Sequence, residues 1–320
     1  MGGMTAPVEG SGCWPPWMAR VPKCSESMNT KVATKRLYFH AMVGRFAPSP
    51  SGFMHLGHAS TYLLAWLQTR TQNGTLLLRM EDVDRQRCKP EFADAWRRDL
   101  TWLGLHWDHE VPAQSQRSAA YTAALETLAS QDLVFACSCT RKDMEEAVRA
   151  PHEAWGAYPG TCVNAGLPLE GPYAKRLKYP EDAFVLQRAD GAWGYQLAVV
   201  VDDGTQGVTH VLRGLDLADS EAPQRFLHQA LGQPAPEVQH APLWYGPDGH
   251  RLSKRHGSVG IQDYREKGWT AEKFWGQVGQ ILGLQEDAKE ARPEDFLAAF
   301  GRQALRTAPI RPAEGLPLWA

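Results

Sequence analysis

Two apolar strings flanking one helical pattern near the start of the chain constrain its fold more than any other feature. Met42-Val43-Gly44-Arg45-Phe46 reads as a short strand, Pro48-Ser49-Pro50-Ser51-Gly52 as a turn, and residues 58–68 as an apolar-faced helix. After the Asn73-Gly74 turn, Thr75-Leu76-Leu77-Leu78-Arg79-Met80 is the continuous apolar run of a strand buried on both faces. Strand, helix and strand in this order predict a parallel βαβ unit with a right-handed crossover, which binds ligands at the carboxyl ends of its strands. Ser49 and Glu81 lie at those ends.

Helical patterns follow at 91–103 and 118–131, with a strand at 133–136. From about Cys137 the chain is punctuated by Pro and Gly, as expected of an inserted subdomain. Alternation resumes at Phe184-Val185-Leu186, and after an Asp190-Gly191 turn the run 195–201 reads as a second core strand. A strand at 208–214, a helix at 221–231, a strand at Leu243-Trp244-Tyr245 and a helix at 271–282 complete the pattern, without internal repeats. The expected organisation is an extension without chemistry over 1–41, an α/β domain in two halves (42–136 and 184–284), an insertion at 137–183, and a tail at 285–320. The fold class is α/β with a doubly wound parallel sheet.

Composition narrows the setting. At 320 residues the chain can bury a sizeable core, and no apolar run approaches the roughly 20 residues needed to span a bilayer. The N-terminus, broken by Pro15, Pro16 and Pro22, lacks the order of a secretory signal, and the clustering of Cys137, Cys139 and Cys162 suits reduced thiols better than a disulfide framework. A cytoplasmic protein is expected. A formal charge of −2 provides no global positive field, so any contact with nucleic acid must come from a local basic surface.

His55-Leu56-Gly57-His58 places two imidazoles at a helix start, beside unpaired backbone N–H groups and the positive end of the helix dipole, where anions are favoured. By itself such a pair also fits a metal site or plain surface polarity. The whole segment from Arg45 to Ala59, however, resembles the first signature of class I aminoacyl-tRNA synthetases in the form used by the glutamyl group. Arg251-Leu252-Ser253-Lys254-Arg255 resembles their Lys-Met-Ser-Lys-Ser signature, and Arg79-Met80-Glu81-Asp82-Val83-Asp84 their Arg-Ile-Glu-Asp-Thr-Asp. The resemblance covers about 43–284. It is strongest to short members of the group, which attach glutamate to the queuosine base at the wobble position of tRNA(Asp). The chain stops soon after the second signature, leaving no room for a helical anticodon-binding module, and the 195–203 string looks like the short enzymes' version.

The resemblance implies a Rossmann-like catalytic domain that activates L-glutamate with ATP and Mg²⁺, without tRNA, and then uses queuosine-containing tRNA(Asp) as acceptor. A monomer is expected. His55, Gly57, His58, Ser253 and Lys254 would bind ATP, with His55, His58 and Lys254 stabilising charge that grows on the phosphates. Arg251 and Arg255 depart from the family motif and have no assigned role. Arg45 and Arg213 would clamp carboxylate, Glu81 would accept from the ammonium, and Ala47, Ser49 and Tyr195 would complete the pocket. Taken singly, Arg45 and Glu81 also fit surface salt bridges, Tyr195 fits simple packing, Asp202 and Asp203 fit either a place lining the site or turn capping, and Asp82 and Asp84 fit loop or helix-start acids.

In the insertion, Cys137, Cys139 and Cys162 offer thiolates suited to one structural Zn²⁺. The resemblance adds Tyr158 as fourth ligand; His152 is a rival, and reduced cysteines beside a packed tyrosine are the plain alternative. Competing functions are a short synthetase charging a tRNA 3′ end, a nucleotidyltransferase, which has no need of the Arg45, Glu81 and Arg213 pocket, and an RNA-binding relative without catalysis.

Overall fold

The structure, a computed structural model, describes residues 41–140, 142–143, 158, 160–179, 182–246, 260–302 and 308–311. Apart from Ala41, the expected N-terminal extension lies outside the described residues, as do Ser253, Lys254, Arg251, Arg255 and His152.

The βαβ unit is present. Strands β1 (Val43–Phe46) and β2 (Thr75–Leu78) pair in parallel from Val43↔Thr75 to Phe46↔Leu78, joined by helix α1 (Leu56–Thr71). Helix α2 (Pro90–Trp102) begins on a proline, whose missing N–H is no loss in a first turn, and leads to β3 (His109–Glu110), parallel to β2. Helix α3 (Ser118–Ser130) precedes three antiparallel strands, β4 (Val134–Cys137), β5 (Ala174–Leu177) and β6 (Val185–Gln187). Helix α4 (Tyr195–Thr205) then returns the chain to β7 (His210–Gly214). After α5 (Glu221–Ala230), strand β8 (Glu237–Ala241) lies parallel to β7. Thr209 joins the two parallel ladders: its N–H donates to the Val43 carbonyl at 2.9 Å, and its Oγ1 accepts from Val43 N–H at 2.9 Å. Helices α6 (Ile261–Glu266), α7 (Ala271–Leu282) and α8 (Leu297–Phe300) follow. The architecture is α/β with parallel ladders beside a separate antiparallel sheet.

Two expected strands are corrected. Residues 195–201 form the first two turns of α4, not a strand. Leu197, Ala198, Val199, Val200 and Val201 are all buried, and a segment buried all round carries no period by which helix and strand can be told apart. Gly194 sets the start of this helix. A Cβ there would lie 2.2 Å from the Val185 carbonyl oxygen, so only glycine allows α4 to begin against β6. The second correction concerns Leu243-Trp244-Tyr245. The strand is β8, ending at Ala241 before Pro242, which has no N–H to continue a ladder. Trp244 makes only an isolated bridge to Ile310.

The main core gathers Phe46, Leu63, Leu67, Trp96, Trp275, Phe296 and Ile310, so residues beyond 285 are part of it; a second core joins Tyr121, Leu128, Leu186, Leu197 and Leu227. Among the described residues no helix is long and apolar enough to cross a membrane.

One charged group sits inside this apolar frame. Arg79, fully buried at the end of β2, lies 3.0 Å from Glu81, 2.8 Å from Asp203 and 3.8 Å from Asp202, and donates to Gln206 at 2.9 Å. Burial works against its charge, but the acids outweigh it and raise its pKa. Removing one member of a buried ionic cluster leaves the others uncompensated. Arg79→Met should therefore cost about 3–5 kcal/mol, seen as a lower urea midpoint at unchanged m-value.

Candidate active site

Helix α1 begins at an unusual cap. His55 is extended (φ −123°, ψ 171°), and its Nδ1 accepts from the N–H groups of Gly57 at 3.1 Å and His58 at 3.4 Å. His58 Nδ1 in turn accepts from the His55 N–H at 3.4 Å, and the rings stack with centroids 3.6 Å apart. A neutral imidazole that accepts at Nδ1 carries its proton on Nε2, so each ring bears an N–H donor on its far side. The Trp96 indole donates to the Gly52 carbonyl at 2.9 Å and lies 5.0 Å from the His58 ring, fixing the loop before the helix. Gly260, six residues after Lys254, forms an antiparallel bridge with His55.

The loop after β1 keeps running beside the loop after β2: Arg79 N–H donates to Phe46 O at 2.9 Å and Glu81 N–H to Pro48 O at 2.8 Å. Glu81 thus stands beside Ala47 and Ser49 and is buried. Burial raises its pKa, and Arg79 and Arg45 pull part of that back. Arg45, at 6% exposure, donates through Nε to Asp203 at 3.1 Å; Asp203 is held below the usual carboxylate range, because Arg45 and Arg79 overcome the cost of burial. Tyr195 starts α4, and burial, with Glu81 nearby, pushes its phenol up to about 12, so it remains a donor. Arg213, on β7, is 5% exposed, and burial lowers its pKa.

Arg45, Ala47, Ser49, His55, Gly57, His58, Glu81, Tyr195 and Arg213 all line one cavity of about 660 Å³ at the carboxyl ends of β1, β2 and β7. Tyr62, Trp96, Asp216, Leu243 and Trp244 supply further walls. The space holds two kinds of surface: helix-start N–H donors with paired imidazoles on one side, and two arginines with a buried carboxylate on the other. It can therefore take a phosphate-bearing ligand together with a small zwitterion that carries an extra carboxylate.

Arg79 has no task in the sequence motif, and its one signal there is a charge at the end of an otherwise apolar strand. Asp202 and Asp203 are buried on α4 rather than capping turns. Asp202 accepts from Gln114 at 3.1 Å, from Tyr121 at 2.8 Å and from Arg117. Asp82 accepts from Ser115 N–H and Oγ, each at 2.7 Å, and Asp84 pairs with exposed Arg87.

A second cluster lies in the insertion. The Sγ atoms of Cys137, Cys139 and Cys162 lie within 4.8 Å of one another. Cys139 Sγ is 3.5 Å from Cys162 Sγ, and Tyr158 Oη is 3.5 Å from Cys137 Sγ and 3.8 Å from Cys139 Sγ. Zinc–sulfur bonds of ~2.3 Å in a tetrahedron place neighbouring sulfurs ~3.8 Å apart, so the donor set fits that ion. Burial pushes the Cys162 thiol up, but hydrogen bonds from Tyr158 and Ser138 bring it down to about 6. Arg176 stacks 4.5 Å above the Tyr158 ring.

The family model of the catalytic domain of class I tRNA synthetases (E and Q) matches residues 41–159 and 168–292, which defines the class of this fold and cavity. The glutamyl-Q tRNA(Asp) synthetase of Symbiobacterium thermophilum is 40% identical over 316 residues, covering 85% of this chain and 97% of the relative. That of Deinococcus radiodurans is 41% identical over 289 residues, covering 81% and 96%. Among solved structures, a glutamate tRNA ligase of Elizabethkingia meningosepticum in complex with its amino acid superposes with a TM-score of 0.72 at 25% identity, covering 84% of this chain and 67% of that one. The glutamate-tRNA synthetase of Elizabethkingia anophelis gives 0.74 at 25% identity, covering 86% and 68%. The chain belongs to the class I tRNA synthetases for E and Q and, within them, to the glutamyl-Q tRNA(Asp) synthetase family.

Asp203 yields a pH signature. Its depressed native pKa means that its stabilising contribution is complete above the ordinary value of about 3.9 and is lost as pH falls through the lower native value. Asp203→Asn should accordingly be less stable than the parent at pH 7, and the gap in unfolding free energy should narrow as pH drops below about 4.

Proposed function

We propose that this chain, a cytoplasmic monomer, activates L-glutamate with ATP to form glutamyl-adenylate and transfers the glutamyl group to queuosine at the wobble position of tRNA(Asp). The observation that carries the reading is the single cavity that brings the histidine-capped start of α1 together with buried Arg45, Glu81 and Arg213. The names of the relatives agree with it.

In the first step a glutamate α-carboxylate oxygen attacks the α-phosphorus, a P–O bond forms, and the bond to pyrophosphate breaks. Negative charge grows on phosphate oxygens beside His55, Gly57 and His58, whose donors are fixed before reaction. Ser253 and Lys254 are assigned to the same phosphates. Glu81 receives the substrate ammonium, while Arg45 and Arg213 hold its carboxylates, with Ala47, Ser49 and Tyr195 closing the pocket. Magnesium would come with ATP and would supply neutralising charge to its phosphates, and no residue of the chain is assigned to hold it.

The deciding measurement is ATP–pyrophosphate exchange without tRNA, followed by transfer onto tRNA(Asp) with and without queuosine, and with its 3′ end removed. Exchange should depend on glutamate, and transfer on queuosine but not on the 3′ end. Exchange driven only by another amino acid would overturn the pocket assignment, and transfer indifferent to queuosine would overturn the acceptor. His58→Ala should slow exchange by about 10²–10³-fold, the usual cost of one preorganised donor.

We assign the insertion cluster to one structural zinc, held by Cys137, Cys139, Cys162 and Tyr158. Metal analysis of the purified chain should give one zinc per molecule, and Cys162→Ser should lose it. A parent preparation with no stoichiometric zinc would remove the site.

A further inference from the structure

Arg213 is held in an uncommon way. Its Nε donates to His240 Nε2 at 3.4 Å and its Nη1 to Gln224 Oε1, while Nη2 is buried with no hydrogen-bond partner among the described residues. Among the described residues no carboxylate pairs with it directly, although Glu221 and Asp203 act on its charge from farther off. Gln224 is itself buried, at 8% exposure, and its orientation is fixed from behind: its Nε2 donates to Gln196 Oε1 at 2.8 Å, and Gln196 Nε2 donates to Ser220 Oγ at 3.0 Å. Because the guanidinium can only donate, Gln224 must turn its carbonyl end to Arg213, and its N–H₂ is then taken up by Gln196 Oε1. His240 accepts from Arg213 through a bare Nε2 and is therefore neutral; burial and the charge of Arg213 both lower its pKa. Among the described residues the partners of Arg213 are thus two neutral acceptors, in contrast to Arg45 and Arg79, which are bound to Asp203.

We propose that Gln224 is a positioning residue that sets amino-acid selectivity: it aims Arg213 into the cavity without adding a negative charge of its own to the fork, so that an anionic side chain is preferred over its neutral amide. This rests on the proposed function, in which Arg213 clamps a carboxylate of the amino acid. A carboxylate in the place of Gln224 would orient the fork equally well but neutralise it beforehand, and an incoming anion would lose the charge that it needs. An incoming carboxamide, which needs only an N–H donor, would lose little.

The test is Gln224→Glu, which preserves shape and the acceptor facing Arg213 and adds charge; the N–H that Gln224 gives to Gln196 is lost, and the Gln196 amide can turn to donate instead because Ser220 Oγ can also donate. KM and kcat for glutamate are measured by ATP–pyrophosphate exchange, and glutamine is measured as a competitive inhibitor, with thermal melting as a folding control. KM for glutamate should rise about tenfold or more, kcat should change less than about threefold, and the inhibition constant of glutamine should stay within about threefold, so that discrimination narrows. Gln224→Met, which removes the acceptor without adding charge, should weaken both ligands together and lower kcat as the fork loses its aim. For Gln224→Glu, equal weakening of glutamate and glutamine, or no change in either, would overturn the proposal. Arg213→Leu separates the two readings: if it leaves KM for glutamate unchanged, the carboxylate clamp itself is wrong; if it raises KM while Gln224→Glu does not, only the role of Gln224 fails.

Discussion

The arrangement depends on how five ionic side chains share one dry space. Arg79 and Arg45 both bind Asp203, and Arg79 also reaches Glu81 and Asp202. This joins the end of β2 and the end of β1 to α4, the helix buried on nearly every side. Ion pairs of this kind contribute less to net stability than well-packed apolar groups would, but they tolerate very few geometries. Their effect is to fix relative position. Arg45 and Glu81 reach the cavity already immobilised, and a site that must recognise a small zwitterion gains by having its charges placed before the ligand arrives.

The cavity divides its cations by their prior engagements. Arg45 already has a carboxylate partner, whereas among the described residues Arg213 is held by neutral acceptors and keeps an unpartnered Nη2. Equal residue types in one pocket therefore differ in their appetite for an anion. The phosphate side works differently: the imidazoles of His55 and His58 serve as helix caps through Nδ1, so the same contacts that close the first turn of α1 determine which ring nitrogen carries a proton.

Much of this was legible in the chain. The βαβ unit was readable because β1 and β2 carry the strongest local signals, an apolar string against a turn and a helix start. Helix α7 was readable from its pattern around 271–282; in the structure Thr270 accepts from Lys273 N–H at its start and left-handed Gly283 ends it. The positions expected around the cavity were readable where motif and strand end coincided, as at Ser49 and Glu81. Failures arose where burial erased periodicity: α4 offers apolar residues to every side, and its two acids are interior rather than at a turn. The pairing that orients Arg213 was not legible, because Gln196, Ser220 and Gln224 are ordinary polar residues until folding brings them together. Likewise β8 was passed over for the more apolar Leu243-Trp244-Tyr245, although Pro242 marks where the ladder must stop.

Trp244, which walls the cavity, is itself tied down late in the chain. Ile310 donates to Leu243 O at 2.8 Å, Tyr245 donates back to Ile310 O at 2.9 Å, and the Ile310 side chain is buried in the main core. Synthesis is vectorial, and the βαβ unit with its histidine cap emerges from the ribosome some two hundred residues before Ile310 does. The wall that Trp244 gives to the chamber is thus held in place by a residue made long after the cap at His55, so the chamber is anchored from both ends of the described chain.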